Sequence, residues 1–148
     1  MELNSLFTRD HLYIVCLDQE SKTFLESTIG IRCALLHYGS GVDRRSIWTL
    51  RMHVASCLIL SGRDVLLSDA DAIWLKDPMK DIDRLGPDDS NIVASRGRLP
   101  SRLYKVWGAT VCFGFILFRS GGAAMSSFLA TATEAVNVLH DDQIAVNM

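Results

Sequence analysis

The stretch from Asp64 to Pro78 reads DVLLSDADAIWLKDP and places two carboxylates where an apolar strand ends. If the chain is still extended there, Asp69 and Asp71 project from one face and the small Ala70 from the other, because successive side chains of a strand alternate. Two hard oxygen ligands at the carboxyl end of a buried strand suit a divalent cation that carries a phosphate group. A polar turn, in which aspartate is common for local hydrogen bonding, is the alternative. The apolar strand directly before the pair favours a metal site made by Asp69 and Asp71.

The composition indicates one globular domain over residues 1–148. The chain is 49% hydrophobic and 22% charged, so it can bury about two thirds of its unfolded surface. The net charge of -2 gives no electrostatic reason to expect nucleic acid or an anionic membrane as a partner. No apolar run reaches the roughly 18 residues of a membrane span, and the start MELNSLFTRD contains no apolar signal core. The sequence therefore carries neither a recognisable anchor nor a targeting signal.

The four cysteines, Cys16, Cys33, Cys57 and Cys112, are widely spaced and include no CxxC pair. Each lies among apolar residues, and free cysteine is one of the most buried residue types. The pattern therefore predicts buried free thiols instead of a zinc site or a disulfide framework.

Apolar runs and helical stripes alternate along the chain. Strands are predicted over His11–Leu17, Ile31–His37, Val65–Leu67, Asn91–Ser95 and Val111–Phe118. Helices are predicted over Glu20–Ser27, over Ser46–Leu60 with a core stripe at Ile47, Leu50, Val54 and Leu58, and around Met125, Phe128, Leu129, Ala132, Val136 and Leu139. A long loop is predicted over Arg96–Thr110. Because the strands are continuously apolar, we expect an α/β fold with a mostly parallel sheet covered by helices on both faces.

Arg51 lies beside the predicted core stripe of the Ser46–Leu60 helix, where a charge needs a partner. One interpretation is an arginine at the edge of the stripe that extends its guanidinium to water. The other is that Arg51 reaches the end of the Val65–Leu67 strand and meets Asp69, Asp71 or a phosphate, for which its planar fork is suited.

Two further segments carry polar groups that a site could use. The Arg96–Lys105 segment, RGRLPSRLYK, contains three arginines and one lysine and no acidic residue, and it is followed by Trp107. It is either a solvated surface loop or a flap that grips the phosphates of a ligand. Asp141, Asp142 and Gln143 follow the last long helix, where an N-cap and its first turn are the default interpretation.

Five blocks of this sequence together resemble a known family. They are Trp48-Thr-Leu-Arg51, Gly62 to Asp71 (GRDVLLSDAD), Ile73 to Pro78 (IWLKDP), Gly114-Phe115 followed by Phe118-Arg119, and Asp142-Gln143. In this order they are similar to the nucleotide-diphospho-sugar transferases, the GT-A-fold glycosyltransferases that include plant and algal xylosyl-, arabinosyl- and galactosyltransferases.

The resemblance implies a Rossmann-like GT-A sandwich, here incomplete at both ends, that moves a sugar from a nucleotide-diphospho-sugar to a hydroxyl of a glycan or glycoprotein. A UDP-sugar is the implied donor, and Mn²⁺ or Mg²⁺ on Asp69 and Asp71 is the implied cofactor. By carry-over, the residues near the donor are Arg51, Ser68, Asp69, Ala70, Asp71 and Gly114. Asp142 and Gln143 would act as the catalytic residues that face the donor sugar and the acceptor. Relatives of this kind work in the Golgi lumen.

Two other functions stay open at this stage. A phosphatase of the haloacid dehalogenase kind also places Asp-x-Asp after a buried strand, although such enzymes continue with Gly-Thr where this chain has Ala72-Ile73. A truncated domain that binds a nucleotide without turning it over is the second alternative.

Overall fold

A computed structural model describes residues 12–36, 43–69, 71–85 and 90–148 of the chain. The chain divides into two compact units, with the boundary between Asp43 and Arg44. Of the residues used in the predictions above, His11, His37, Ala70 and the start MELNSLFTRD lie outside the described residues.

The first unit is built around a short parallel strand pair. Strand β1 (Val15–Cys16) pairs with β2 (Ala34–Leu35), and between them run α1 (Gln19–Phe24) and a π-helical turn (Leu25–Ile29). Helix α1 begins at Asp18, whose carboxylate accepts hydrogen bonds from the backbone N–H and the hydroxyl of Ser21 at 2.6 and 2.9 Å. Such a cap satisfies N–H groups that have no partner within the helix.

The prediction of four buried free thiols is wrong for this unit. Cys16 ends β1 and Cys33 directly precedes β2, so the parallel pairing brings their Cα atoms to 6.0 Å and they form a disulfide. The pairing of the two strands that brings cysteines 17 residues apart together is a tertiary feature that cysteine spacing does not encode. Of the two remaining cysteines, Cys57 is exposed and Cys112 is half-buried, so neither is a fully buried thiol.

The second unit contains five helices and three strands among its described residues. In chain order they are α2 (Arg44–Leu60), β3 (Val65–Ser68), α3 (Pro78–Leu85), β4 (Ile92–Gly97), α4 (Ser101–Trp107), β5 (Thr110–Phe118), α5 (Gly122–Leu139) and α6 (Asp142–Ala145). Strand β5 is central in the order β3-β5-β4, and both of its pairings are antiparallel.

The α/β class is confirmed, but a mostly parallel sheet is not. Among the described strands only the β1–β2 pair is parallel, and the sheet of the second unit is antiparallel. Continuous apolar character predicted the burial of β5 correctly, because Phe113, Ile116 and Phe118 are fully enclosed. Burial on both faces follows from the helices that cover a strand and carries no information on strand direction.

The core lies between β5 and the helices α2, α5 and α6. Helix α5 buries the predicted stripe through Met125, Leu129, Ala132 and Val136. Helix α2 instead buries Met52, Ala55 and Ile59, while the predicted stripe residue Ile47 is 40% exposed. Its sequence is apolar on more than one face, so hydrophobic periodicity alone did not select the face that contacts α5.

The long loop predicted over Arg96–Thr110 is also wrong, because it contains the end of β4 and the helix α4. Helix α4 ends at Gly108, whose φ of 72° lies in the left-handed region that closes a helix without steric cost. In the described part of the chain, no helix is both long and apolar enough to cross a bilayer.

Candidate active site

The site forms where β3 ends beside β5. Strand β3 pairs with Phe115–Phe118 only, and the last link is the hydrogen bond from the Asp69 backbone N–H to the Gly114 carbonyl at 2.7 Å. Beyond this point the backbone groups of Val111 and Phe113 receive side chains instead of a strand. Buried backbone groups require hydrogen-bond partners. Because β3 ends here, these side chains supply the partners that a continuing strand would have supplied.

Helix α6 and Asn147, two residues after it, supply most of those partners. The Gln143 side chain accepts from the Phe113 N–H at 2.8 Å and donates to the carbonyls of Leu99, at 3.0 Å, and Val111. One turn later, the Asn147 side chain accepts from the Val111 N–H and donates to the Val111 carbonyl, both at 2.8 Å. Two carboxamides spaced four residues apart therefore replace a neighbouring strand.

Arg51 connects three elements at this point. From α2, its guanidinium donates to Asp69 Oδ1 at 2.7 Å and to the Phe113 carbonyl at 3.0 Å. Its Nε lies 3.2 Å from Asp142 Oδ2, as an ion pair without the alignment of a hydrogen bond. The guanidinium also lies over the Phe113 ring, 4.9 Å from the ring centre. Arg51 thus reaches the strand end and Asp69, as one of its two interpretations predicted.

Asp142 is a buried carboxylate, with 4% of its surface exposed. Burial raises its pKa to about 6 from the ordinary 3.8, against the opposing effect of Arg51, and Asp141 and Asp69 add to the rise. The neighbouring Asp141 is the N-cap of α6, because its carboxylate accepts from the Ile144 N–H at 2.8 Å. The N-cap interpretation is therefore correct for Asp141, while Asp142 faces Arg51.

The chain does not stay extended through the two predicted metal ligands. The Asp69 carbonyl accepts a hydrogen bond from the Ala72 N–H at 3.0 Å, so a tight turn follows β3 directly. Asp69 has 43% of its side chain exposed, and Asp71 is exposed. Asp69 Oδ2 faces Gly114, where an added Cβ would lie only 2.6 Å from that oxygen. Absence of a side chain at Gly114 leaves the space that the carboxylate uses.

A cleft of about 400 Å³ opens over this arrangement. Five predicted site residues line it, namely Arg51, Asp69, Gly114, Asp142 and Gln143. Two others do not line it: Asp71 is exposed, and the Ser68 hydroxyl accepts a hydrogen bond from the Trp74 indole at 2.9 Å. The remaining lining residues were not predicted as site residues and are Trp48, Leu99, Pro100, Phe113, Asp141 and Ile144.

The contributions of Asn147 and Phe113 to the site were not predicted from the sequence. Asn147 lies four residues after Gln143 in the sequence, which is the spacing of one helix face, and this spacing could have indicated a pair. Phe113 contributes its backbone groups and its ring, and neither contribution depends on a motif.

The donor set fits a cation that brings its own further ligands. Among the described residues, no group of three or more His, Cys, Asp or Glu side chains is arranged to hold a metal ion. Asp69 and Asp71 nevertheless offer two carboxylates with solvent access. Mg²⁺ in particular binds one or two carboxylates together with waters and substrate phosphates. Asp69 and Asp71 supply that number of carboxylates, and they do not form a closed metal cage.

Replacement of Asp142 by asparagine is expected to remove part of the pH dependence of stability. Because the folded-state pKa is the raised one, the stability that Asp142 contributes is complete below about pH 4 and is lost as the pH rises through 6. Between pH 4 and pH 7 the free energy of unfolding of the wild type should fall by about 2 kcal/mol relative to Asp142→Asn. Urea unfolding of both proteins across this range measures the difference, and a constant difference would contradict the raised pKa.

Comparison with known proteins gives one match. The family model described as nucleotide-diphospho-sugar transferase matches residues 8–148. No curated protein and no solved structure is significantly similar to the chain. The match includes β3 with its aspartates, β5 and α6, and it covers nearly the whole sequence. The chain therefore belongs to the nucleotide-diphospho-sugar transferase family.

Proposed function

We propose that this chain is a metal-dependent glycosyltransferase domain that moves a sugar from a UDP-sugar to a hydroxyl of a glycan or glycoprotein. The observation that carries the proposal is the Arg51–Asp69 pair at 2.7 Å, which lines a cleft at the carboxyl end of β3. A carboxylate and a guanidinium side by side offer complementary charges for a cation and a diphosphate. Membership of the family supports transfer over the phosphatase alternative.

Asp69 and Asp71 are the residues that would hold Mn²⁺ or Mg²⁺. When bound, such a cation supplies a Lewis acid that neutralises charge on the departing diphosphate. Arg51 presents a guanidinium, 29% exposed, toward the same end of the cleft. Because Arg51 already neutralises Asp69, the approach of a diphosphate lets its fork exchange one anionic partner for another.

Asp142 and Gln143 act in different ways. Asp142 holds the Nε side of the Arg51 guanidinium and sets its orientation. The oxygen and the nitrogen of the Gln143 carboxamide both form hydrogen bonds with the backbone of Leu99, Val111 and Phe113. Gln143 therefore shapes the cleft wall and does not contact the substrate. We therefore assign Gln143 as a positioning residue and Asp142 as the partner of Arg51.

The Cys16–Cys33 disulfide supports an oxidising compartment for this protein. Disulfides persist in the lumen of the secretory pathway and are rare where glutathione keeps thiols reduced. This agrees with the Golgi lumen that the family resemblance implies.

Calorimetric titration with UDP, in the presence and absence of Mn²⁺, tests the proposal. We expect Mn²⁺ to strengthen UDP binding, and Asp71→Asn to reduce that gain by about tenfold, because one of two carboxylate ligands is lost. Asp83→Asn is the matched control, since Asp83 is an exposed carboxylate on α3, which lines neither this cleft nor the larger groove described below.

Three results would contradict the proposal. Equal UDP affinity with and without Mn²⁺ would remove the metal dependence. A nucleotide at a hundred times its dissociation constant would stabilise the folded protein by about 2.7 kcal/mol. A folded protein that shows no UDP binding would therefore favour the inactive alternative. Release of phosphate from an aryl phosphate would favour the phosphatase.

A further inference from the structure

The segment Arg96–Trp107, here called the basic segment, concentrates positive charge in an acidic protein. Its sequence RGRLPSRLYKVW contains four basic residues and no acidic one. The whole chain has a net charge of -2, so the remaining residues together carry a charge of -6. A local excess of this size gives an anion a preferred place of approach that the net charge conceals.

Three of these cations face solvent. Arg98, Arg102 and Lys105 are exposed, and no ion pair joins them to any described acidic side chain. Arg96 differs, because its guanidinium donates to the Gly108 carbonyl and closes the segment onto itself. Helix α4 therefore presents Arg102 and Lys105 to solvent, one turn apart, and neither forms an ion pair with a described acidic side chain.

The basic segment borders the cleft. Leu99 and Pro100 line the cleft directly, next to Asp141 and Gln143. The Leu99 carbonyl also accepts the hydrogen bond from Gln143, so the segment is attached to the residue that shapes the cleft wall. Charges at Arg98 and Arg102 thus flank residues that belong to the site.

The same segment also borders a second, larger groove. This groove has a volume of about 730 Å³ and is lined mainly by apolar residues, with Arg96 and Trp107 contributed by the basic segment. Trp107 has 61% of its surface exposed, and the adjacent Val106 has 73%. An exposed indole offers a flat apolar face with a polar edge, the combination that suits the C–H face of a sugar ring.

We propose that the basic segment and this groove bind an acidic glycan acceptor, a polysaccharide or glycan chain that carries uronate carboxylates or sulfates. The inference rests on the proposed function, since it names the acceptor class of the same site. Arg98, Arg102 and Lys105 would pair with the anionic groups, while Trp107, which lines the groove, would stack on a sugar ring of the same glycan chain. A single ligand can use both features because one continuous segment borders the cleft and the groove.

Charge complementarity selects an acidic glycan over a neutral one, which would use Trp107 and leave three cations without a role. A nucleic acid is a polyanion as well, and binding of a single-stranded oligonucleotide separates it from the glycan in the experiment below. The diphosphate of the donor is the remaining anion, and it differs from the glycan by its dependence on Mn²⁺.

The experiment measures binding of oligogalacturonate and of a neutral galactan oligosaccharide of equal length to the wild type. The test variant is Arg102→Gln/Lys105→Gln, and the matched control is Lys80→Gln/Arg84→Gln, which removes the same charge from α3. We expect oligogalacturonate to bind more tightly than the galactan, and the α4 variant to weaken oligogalacturonate binding by about tenfold, since two exposed ion pairs are lost. The control variant should bind as the wild type does. Trp107→Phe should abolish a fluorescence change on oligogalacturonate binding.

Three outcomes overturn the proposal. Equal loss in the control variant would show a general charge effect. Tight binding of the neutral galactan, or of a single-stranded oligonucleotide, would remove the specificity for an acidic glycan. Loss of Mn²⁺-dependent UDP binding in the α4 variant, with oligogalacturonate binding unchanged, would assign the cations to the donor. If the wild type binds oligogalacturonate as expected but not UDP, the proposed transferase activity fails and the acidic-glycan surface stands.

Discussion

Replacement of Arg51 by methionine is expected to lower the free energy of unfolding by about 3 kcal/mol at pH 8. The loss arises because Asp142 would remain buried without its cation, and the Phe113 carbonyl would lose its hydrogen bond. The estimate lies at the low end for a buried pair, since the Arg51 side chain is 29% exposed and water can partly replace it. Urea unfolding of the two proteins gives the difference.

The same variant should be less damaged at pH 5. Arg51 opposes the rise of the Asp142 pKa, so without Arg51 this pKa moves above 6 and the carboxyl takes up a proton more easily. Protonation removes the buried charge, and the stability difference between wild type and Arg51→Met should shrink as the pH falls.

A double-mutant cycle separates the two causes. Asp142→Asn in the Arg51→Met background should recover much of the loss at pH 8, because the uncompensated charge is gone. Purely additive effects of the two substitutions would show that the 3.2 Å approach of Arg51 to Asp142 carries no coupling energy. Arg51→Lys is informative as well, since an ammonium cannot serve Asp69, Asp142 and Phe113 with one planar fork.

Gly114→Ala is expected to weaken Mn²⁺-dependent UDP binding by roughly 10- to 100-fold, the range found when groups that orient a metal ligand are changed. The new Cβ would lie 2.6 Å from Asp69 Oδ2 and 3.2 Å from its Cγ. The carboxylate is the mobile end of a half-exposed side chain, so it should move away while β5 keeps its place. The cost in stability should therefore be only about 1 kcal/mol.

Calorimetry of UDP with Mn²⁺, together with thermal unfolding, distinguishes this local effect from misfolding. Gly121→Ala is the matched control, a replacement of glycine by alanine without a steric clash, because nothing lies within 4 Å of the place its Cβ would take. Its φ of 113° makes it the more strained substitution, so it should cost stability and leave Mn²⁺-dependent binding intact. Unchanged nucleotide binding in Gly114→Ala would show that Asp69 does not need this space.

Hydrophobic periodicity was sufficient to predict the elements that surround the site. The apolar runs located β3 and β5, and the stripe from Met125 to Val136 located α5, because burial leaves a direct trace in sequence. One of the two interpretations of Arg51 placed its charge, beside a core stripe, next to the carboxylates at the end of β3. The 2.7 Å contact of Arg51 with Asp69 agrees with that interpretation.

The remaining features depend on partners that periodicity does not specify. The antiparallel direction of β5, the Cys16–Cys33 pairing and the buried face of α2 are each decided by which elements meet in three dimensions. Helix α4 was missed because it is short and has no fully buried residue, so it leaves no apolar stripe. The role of Gln143 depends on backbone groups of β5, and backbone geometry is invisible in a list of side chains.

The carboxamides of Gln143, on α6, and of Asn147, just after α6, also block an open strand edge. An open strand edge is a template on which a second chain can add a strand, and natural proteins block such edges. Here β3 stops at Ser68 while β5 continues back to Thr110, which would expose the hydrogen-bonding groups of Val111 and Phe113. Gln143 and Asn147 occupy these groups except the Phe113 carbonyl, which accepts from Arg51, so this part of β5 offers no open edge to a second chain.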